Sequence, residues 1–148
     1  MTEQAPNAHL TAAIWHWNVY YQTAIEAAMA CNGDAAKFVE NMGGNAYYAG
    51  LAEGFVDASP VNEATAAPNT AAVMDAVREL IKSGEWDVFT GVKLSYNISD
   101  DGKVEIIKTD ADLVDADLNV IVAAGGPSVD DGVIKGSMDY NVAGVQEG

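Results

Sequence analysis

The pattern of apolar and polar residues predicts a mixture of short strands and helices. Ala8–Ile14 is short and mostly apolar, as expected of a buried strand. Apolar residues then recur at helical spacing, which predicts a helix capped by Asn18 that runs to about Cys31 and ends at Asn32-Gly33. The chain thus begins with a strand that leads directly into a helix.

Turn and capping residues define the remaining predicted elements. Residues 93–99 and 103–108 alternate on either side of Asp101-Gly102, a strong signal for a β-hairpin. The other predicted elements are a short helix capped by Asp34 to about Met42, one or two strands within Tyr47–Ala58, a helix from Asn69 or Thr70 to Gly84, strands at Trp86–Phe89 and Asn119–Ala124, and an element of uncertain type at Ser137–Val145. Together they predict the α/β class and a single domain over residues 1–148.

Composition narrows the functional classes. The chain has 22 acidic and 7 basic residues, a net charge of −15. The negative electrostatic field of such a chain repels phosphate backbones, which argues against nucleic-acid binding. It also argues against binding to a membrane surface through a polybasic segment. Leu, Ile, Val and Phe make up about 22% of the chain, just above the level of about 20% below which disorder is common. We therefore expect a folded chain with a thin core.

The single cysteine and the absence of long apolar runs lead to expectations about thiol chemistry and membrane insertion. Cys31 has no partner for an internal disulfide and no basic neighbours, so we expect an inert thiol. The sequence has no run of 18 apolar residues, so no membrane-spanning helix is predicted. Met1 is not followed by the basic start and apolar segment of an export signal.

The stretch Leu10–Tyr21 crosses the predicted junction between strand and helix, and four of its last seven residues are aromatic. Two of the three tryptophans of the chain lie in it. Aromatic rings at such a junction suit a site for a flat ligand, because a ring face buries much area at low entropic cost. The alternative is that these rings simply plug a core. The residues alone leave both interpretations open.

Residue types give little support to catalysis. His9 and His16 lie seven residues apart across the predicted strand and point to opposite faces, so they cannot bind one metal together. The motifs of zinc sites and phosphate-binding loops are absent, and the acidic pairs Asp100-Asp101 and Asp130-Asp131 fit solvated turns. We expect no enzymatic activity, no metal and no cofactor.

The order of several motifs resembles the C-terminal part of the basic membrane protein family, the solute-binding lipoproteins of ABC transporters, whose best-known members bind purine nucleosides. The matching segments are Ala5–Ala12, Trp15-His16-Trp17, Tyr20-Tyr21, Tyr48–Leu51, Glu53–Asp57, Ser59-Pro60, Ile81–Gly84, Trp86, Val88-Phe89, Gly91 and Met138–Val145. The resemblance covers residues 5–91 and 136–148 in register, and residues 92–135 only loosely.

The resemblance implies a partial lobe of a type I periplasmic-binding-protein-like fold, with a C-terminal β-hairpin region. Family members are about twice as long and close two lobes on the ligand. We therefore expect an incomplete domain that lacks the other lobe, the export signal and the lipidated cysteine, with Met1 either an internal methionine of a longer gene or the start of a truncated reading frame. The full protein would be periplasmic or extracytoplasmic, anchored only by its lipid, with an ABC permease as partner.

The resemblance also implies the ligand contacts. In nucleoside-binding members, the turn after the leucine-threonine strand supplies a lysine to the sugar, and the matching position here is about Trp15, so that an indole replaces a cation. We expect Trp15, His16 and Trp17 to contact a small polar solute with a ring, such as a nucleoside. Alone, the chain should bind solute weakly or not at all and tend to dimerise or aggregate. The alternatives are a self-contained small acidic protein-interaction module and an enzyme with a dispersed site.

Overall fold

The computed structural model describes residues 4–145 as a mixed α/β chain of short elements. By internal packing it divides into two compact units between Ala71 and Ala72. The expectation of one incomplete domain is not tested by this division and stays a prediction. The elements in chain order are β1 (Ala13–Trp15), α1 (Trp17–Ala30), α2 (Ala35–Asn41), β2 (Val56–Ala58), α3 (Thr70–Ser83), β3 (Val92–Ile98), β4 (Val104–Asp110), β5 (Leu113–Val114), β6 (Val120–Val122) and α4 (Asp131–Gly136).

The first unit joins a two-stranded sheet to two helices. β1 pairs with β2 in antiparallel fashion, so that Trp15 lies opposite Val56. Side chains close the pairing at its other end, where the Thr11 hydroxyl donates to the Ser59 carbonyl at 2.7 Å and the Ala12 amide donates to the Ser59 hydroxyl at 2.9 Å. α1 packs against α2, which begins where the Asp34 carboxylate accepts hydrogen bonds from the Ala36 and Lys37 amides.

The strand predicted over Ala8–Ile14 is shorter than expected and shifted toward its C-terminal end. The backbone near Ala8 turns instead, because the Ala8 and His9 amides both donate to the Ala5 carbonyl. The Asn62 amide group then donates to the Pro6 and His9 carbonyls at 2.8 and 2.9 Å. The predicted Asn18 cap is also wrong, since α1 begins two residues earlier than that cap implies, at Trp17, with His16 in the capping position.

The second unit contains the amphipathic helix α3 except for its first two residues, the β3–β4 hairpin, the short β5–β6 pair and α4. The hairpin is confirmed, with Ile98 paired to Val104 next to the predicted turn. The strand predicted at Trp86–Phe89 is wrong, because the Asp87 carboxylate accepts from the Phe89 amide at 2.9 Å and folds that segment into a turn. α4 was not predicted as a helix, and the Asp130 carboxylate caps it.

The core is thin. Within residues 4–145, the buried hydrophobic residues are Ala27, Cys31 and Val122, and no large side chain is fully enclosed. Each of the three described sheets has two antiparallel strands, and such pairs contribute little stability by themselves. Many large apolar side chains are instead exposed. No helix of the described residues is long and apolar enough to cross a membrane.

Candidate functional site: an aromatic cluster

Six rings of the first unit form a continuous cluster: Trp15, Trp17, Tyr20, Tyr21, Tyr47 and Phe55. Phe55 is its centre, with centroids 6.2 Å from Trp15, 5.6 Å from Trp17 and 5.3 Å from Tyr47. Tyr20 connects Trp17 to Tyr47, at 6.2 and 5.2 Å. Most of these pairs meet edge to face, the arrangement that the ring quadrupoles favour. Phe55, Tyr20 and Tyr47 are half-buried and give the cluster its fixed base.

The two tryptophans are the exposed edge of this cluster. Their centroids lie 5.4 Å apart at an interplanar angle of 65°, and Trp15 and Trp17 keep 57% and 48% of their surface accessible. Trp15 lies at the end of β1 and Trp17 at the start of α1, so backbone geometry fixes both attachment points. The cluster therefore presents two partly exposed indoles on a packed support.

The Gly50–Phe55 turn places Phe55 under these indoles. The Glu53 carboxylate accepts from the Gly50 amide at 2.7 Å, and the Phe55 amide donates to the Gly50 carbonyl at 3.0 Å. The Gly50 hydrogen bond to the charged carboxylate lowers the pKa of Glu53. The Phe55 carbonyl in turn accepts from the His16 amide at 2.8 Å, which holds the turn against the start of α1.

The structure brings the three predicted site residues together in part. Trp15 and Trp17 are in ring contact, and the half-buried His16 lies between them in sequence. The His16 side chain makes no capping hydrogen bond to α1. This placement does not test whether these residues bind a solute, which stays a prediction.

Sequence reasoning did not assign Phe55 and Tyr47 to the site. Both lie some 30 to 40 residues beyond the tryptophans, and they reach them only because β2 pairs with β1. The turn before β2 is the local signal that could have indicated Phe55, since Gly50 and Gly54 bracket the carboxylate of Glu53 and Phe55 follows directly.

Two open cavities in the second unit do not involve the predicted site residues. One of about 390 Å³ lies at the tip of the β3–β4 hairpin, and one of about 420 Å³ lies beside Asp115, Asp117 and Asp139. Within the described residues, no group of three or more His, Cys, Asp or Glu side chains could hold a metal ion. Of the three aspartates beside the second cavity, Asp115 accepts hydrogen bonds from its own loop.

Comparison of the chain with family models, with curated proteins and with solved structures finds no match in any of the three.

Proposed function

We propose that this chain is the C-terminal part of a solute-binding component of an ABC transporter, which captures a small polar solute with a ring, such as a nucleoside. The observation that carries this proposal is the exposed Trp15–Trp17 pair held on Phe55. A ring-bearing solute can stack on an indole, and stacking of a base on an aromatic side chain contributes about 1–3 kcal/mol. His16 is the proposed polar contact beside them.

The exposure of the aromatic cluster supports the proposal that it forms one side of a binding site between two lobes. Binding sites for small molecules normally enclose most of the ligand surface, whereas Trp15 is more than half exposed. In the proposed full protein, a partial lobe of the type I periplasmic-binding-protein-like fold would supply this face and an upstream lobe would close over it. Capture is then non-covalent, and the extracytoplasmic location and permease partner belong to the full protein.

The first test is titration of this chain with inosine and with adenosine by calorimetry. Because one face alone buries too little of the ligand, we expect no heat of binding at micromolar concentrations. Micromolar binding by this chain alone would refute the proposal that its binding site is incomplete. The second test is to read the coding sequence upstream of Met1, where an in-frame extension with a lipoprotein signal is expected, and to express the extended protein.

The extended protein should bind the nucleoside, and Trp15→Ala should weaken that binding roughly tenfold or more through the lost stacking face. Tyr96→Ala is the matched control, since Tyr96 is a similarly exposed ring, 55% accessible, on the β3–β4 hairpin. Equal affinities of the wild type and Trp15→Ala would remove the indole from the proposed site.

A self-contained acidic protein-interaction module is the second candidate. The apolar outer side of α1 favours it, because Tyr21, Ile25 and Met29 are each more than half exposed and contiguous apolar patches mark interaction surfaces. This candidate requires a monodisperse monomer that unfolds cooperatively. Self-association or gradual unfolding in urea would count against it.

A further inference from the structure

The outer side of α1 carries an apolar row that nothing in the described chain covers. Trp17, Tyr21, Ile25 and Met29, spaced four residues apart, are 48%, 59%, 61% and 76% exposed; we call these four residues the α1 stripe. Residues four apart lie on the same side of a helix. The row follows the whole 14-residue helix, a length of about 21 Å.

α1 is apolar on its inner side as well. Ala27 and the adjoining Cys31 are buried there, where α2 packs and the Asn41 amide reaches the Ala27 carbonyl at 3.5 Å. Glu26 is the one charged residue of the helix, and the Gln22 side chain bonds to it at 2.9 Å. The outer and inner sides of α1 are thus both apolar, and the exposed polar residues Asn18, Gln22 and Glu26 lie between them. An apolar side of a helix is typically covered by another element, whereas only the inner side of α1 is covered.

We propose that the α1 stripe is a homodimer interface, in which two copies of α1 pack antiparallel. Positions 17, 21, 25 and 29 are symmetric about position 23. A two-fold axis there places Trp17 opposite the partner's Met29 and Tyr21 opposite the partner's Ile25. The stripe is thus complementary to itself, as a two-fold interface requires, and thioether–aromatic contacts are favourable.

Area and local charge both fit a second copy. Large apolar side chains present on the order of 150–250 Å² each, so the exposed fractions amount to roughly 500 Å² per copy. Two copies would bury roughly 1,000 Å², the lower limit for a specific interface. α1 carries a single charged residue, Glu26, so it is a poor surface for a partner that binds through basic residues. The net charge of −15 on each chain still repels a second copy at long range.

This balance gives the dimer a diagnostic salt dependence. Between about 0.02 and 0.5 M NaCl the screening length falls from roughly 20 Å to roughly 4 Å. Repulsion between two acidic copies is then screened while the apolar contact remains, so sedimentation velocity of the whole chain should show the dimer fraction rising with salt. A chain that stays monomeric at both salt concentrations, or a dimer that dissociates as salt rises, would overturn the proposal.

Variants locate the interface. Ile25→Glu and Ile25→Lys should each weaken dimerisation roughly tenfold or more, although they change the net charge in opposite directions. Val88→Glu is the control, since Val88 is an exposed apolar residue, 55% accessible, in the second unit, and it should leave the dimer unchanged. Circular dichroism confirms that each variant keeps its helices. Dimerisation unaffected by both Ile25 variants rules out this surface.

Mixing tests the antiparallel arrangement. Tyr21→Lys and Ile25→Glu chains should each be monomeric alone, and a mixture should form a heterodimer because the new charges face each other across the axis. Absence of a heterodimer rules out this register. Ile25 is not a proposed solute contact, so the dimer can fail while the solute proposal stands, and the reverse also holds.

Discussion

A single carboxylate organises the loop between β5 and β6. The Asp115 side chain accepts from the Asp117 amide at 2.9 Å, from the Asn119 amide at 2.8 Å and from the Asn119 side chain at 2.9 Å. These bonds hold Leu118 at a φ of 67°, a left-handed conformation that is unfavourable for leucine. The bonds from Asn119, and then that from Asp117, lower the pKa of Asp115.

The pH dependence of Asp115→Asn should follow from this shift. A carboxylate with a lowered pKa in the folded state stabilises the fold above its unfolded pKa of about 3.9, and this contribution disappears as pH falls through the folded pKa. We expect the variant to unfold at lower urea concentration than the wild type at neutral pH, and the two midpoints to converge below about pH 4.

Asp117→Asn is the control for this prediction. Asp117 lies in the same loop and is acidic, but its carboxylate is not an acceptor in the network described above. The control should track the wild type across the titration. A difference between Asp115→Asn and wild type that persists unchanged at low pH would show that the charge of Asp115 is not what stabilises the loop.

Among the elements, the second unit depends on one buried glycine. Gly91 precedes β3, and its backbone makes three hydrogen bonds to two later segments: its amide donates to the Gly126 carbonyl, and its carbonyl accepts from the Ala111 and Gly125 amides. A Cβ at this position would lie 2.0 Å from the Ala123 carbonyl oxygen. The Ala123 carbonyl and the Gly91 Cα both belong to the backbone, so neither can move aside without breaking backbone hydrogen bonds.

Gly91→Ala should therefore lower the free energy of unfolding by about 3 kcal/mol or more, the upper range for overpacking a tight site. Urea denaturation followed by circular dichroism measures this loss. Gly136→Ala is the matched control in α4, where a Cβ meets no atom within 4 Å, and it should be neutral or stabilising by up to about 1 kcal/mol. Equal stability of the two variants would contradict the close backbone approach at Gly91.

Elements with their own local signals could be predicted from the sequence. Asp34 caps α2 as expected, and Asp101-Gly102 turns the β3–β4 hairpin, because the capping carboxylate and the glycine act within a few residues. The prediction of a strand at Trp86–Phe89 was wrong because of another local interaction. The Asp87 carboxylate accepts a hydrogen bond from the nearby Phe89 amide, and this bond outweighs strand propensity.

Contacts between distant residues could not be predicted in the same way. The sequence indicated Trp15 and Trp17, whereas Phe55 joins them only after β2 has paired with β1. The exposed α1 stripe was not foreseen either. Its helical period was evident, but a period alone does not tell which sides of a helix the rest of the chain will cover.

For the whole molecule, extensive exposure and high charge act together. Within residues 4–145, three hydrophobic residues are buried, and many large apolar side chains are exposed. With a net charge of −15, self-repulsion opposes a fold that has little buried area to resist it.

Salt should therefore raise the thermal midpoint of unfolding. If screening relieves about 1 kcal/mol of repulsion, the midpoint rises by roughly 4–8 °C for units of this size. The measurement is best made on Ile25→Glu, so that self-association does not contribute, and NaCl and KCl should act alike. A midpoint that is constant or falls with salt would show that charge repulsion does not limit stability.

The position of Lys37 in α2 has a consequence for proteolysis. Lys37 is the single Lys or Arg before Arg78, so trypsin has one cleavable bond in that entire stretch. The bond lies inside a helix that Asp34 caps, and cleavage there requires the helix to open locally. The resistance of almost the whole first unit to trypsin therefore depends on the two turns of α2, and the appearance of a fragment ending at Lys37 reports how often they unwind.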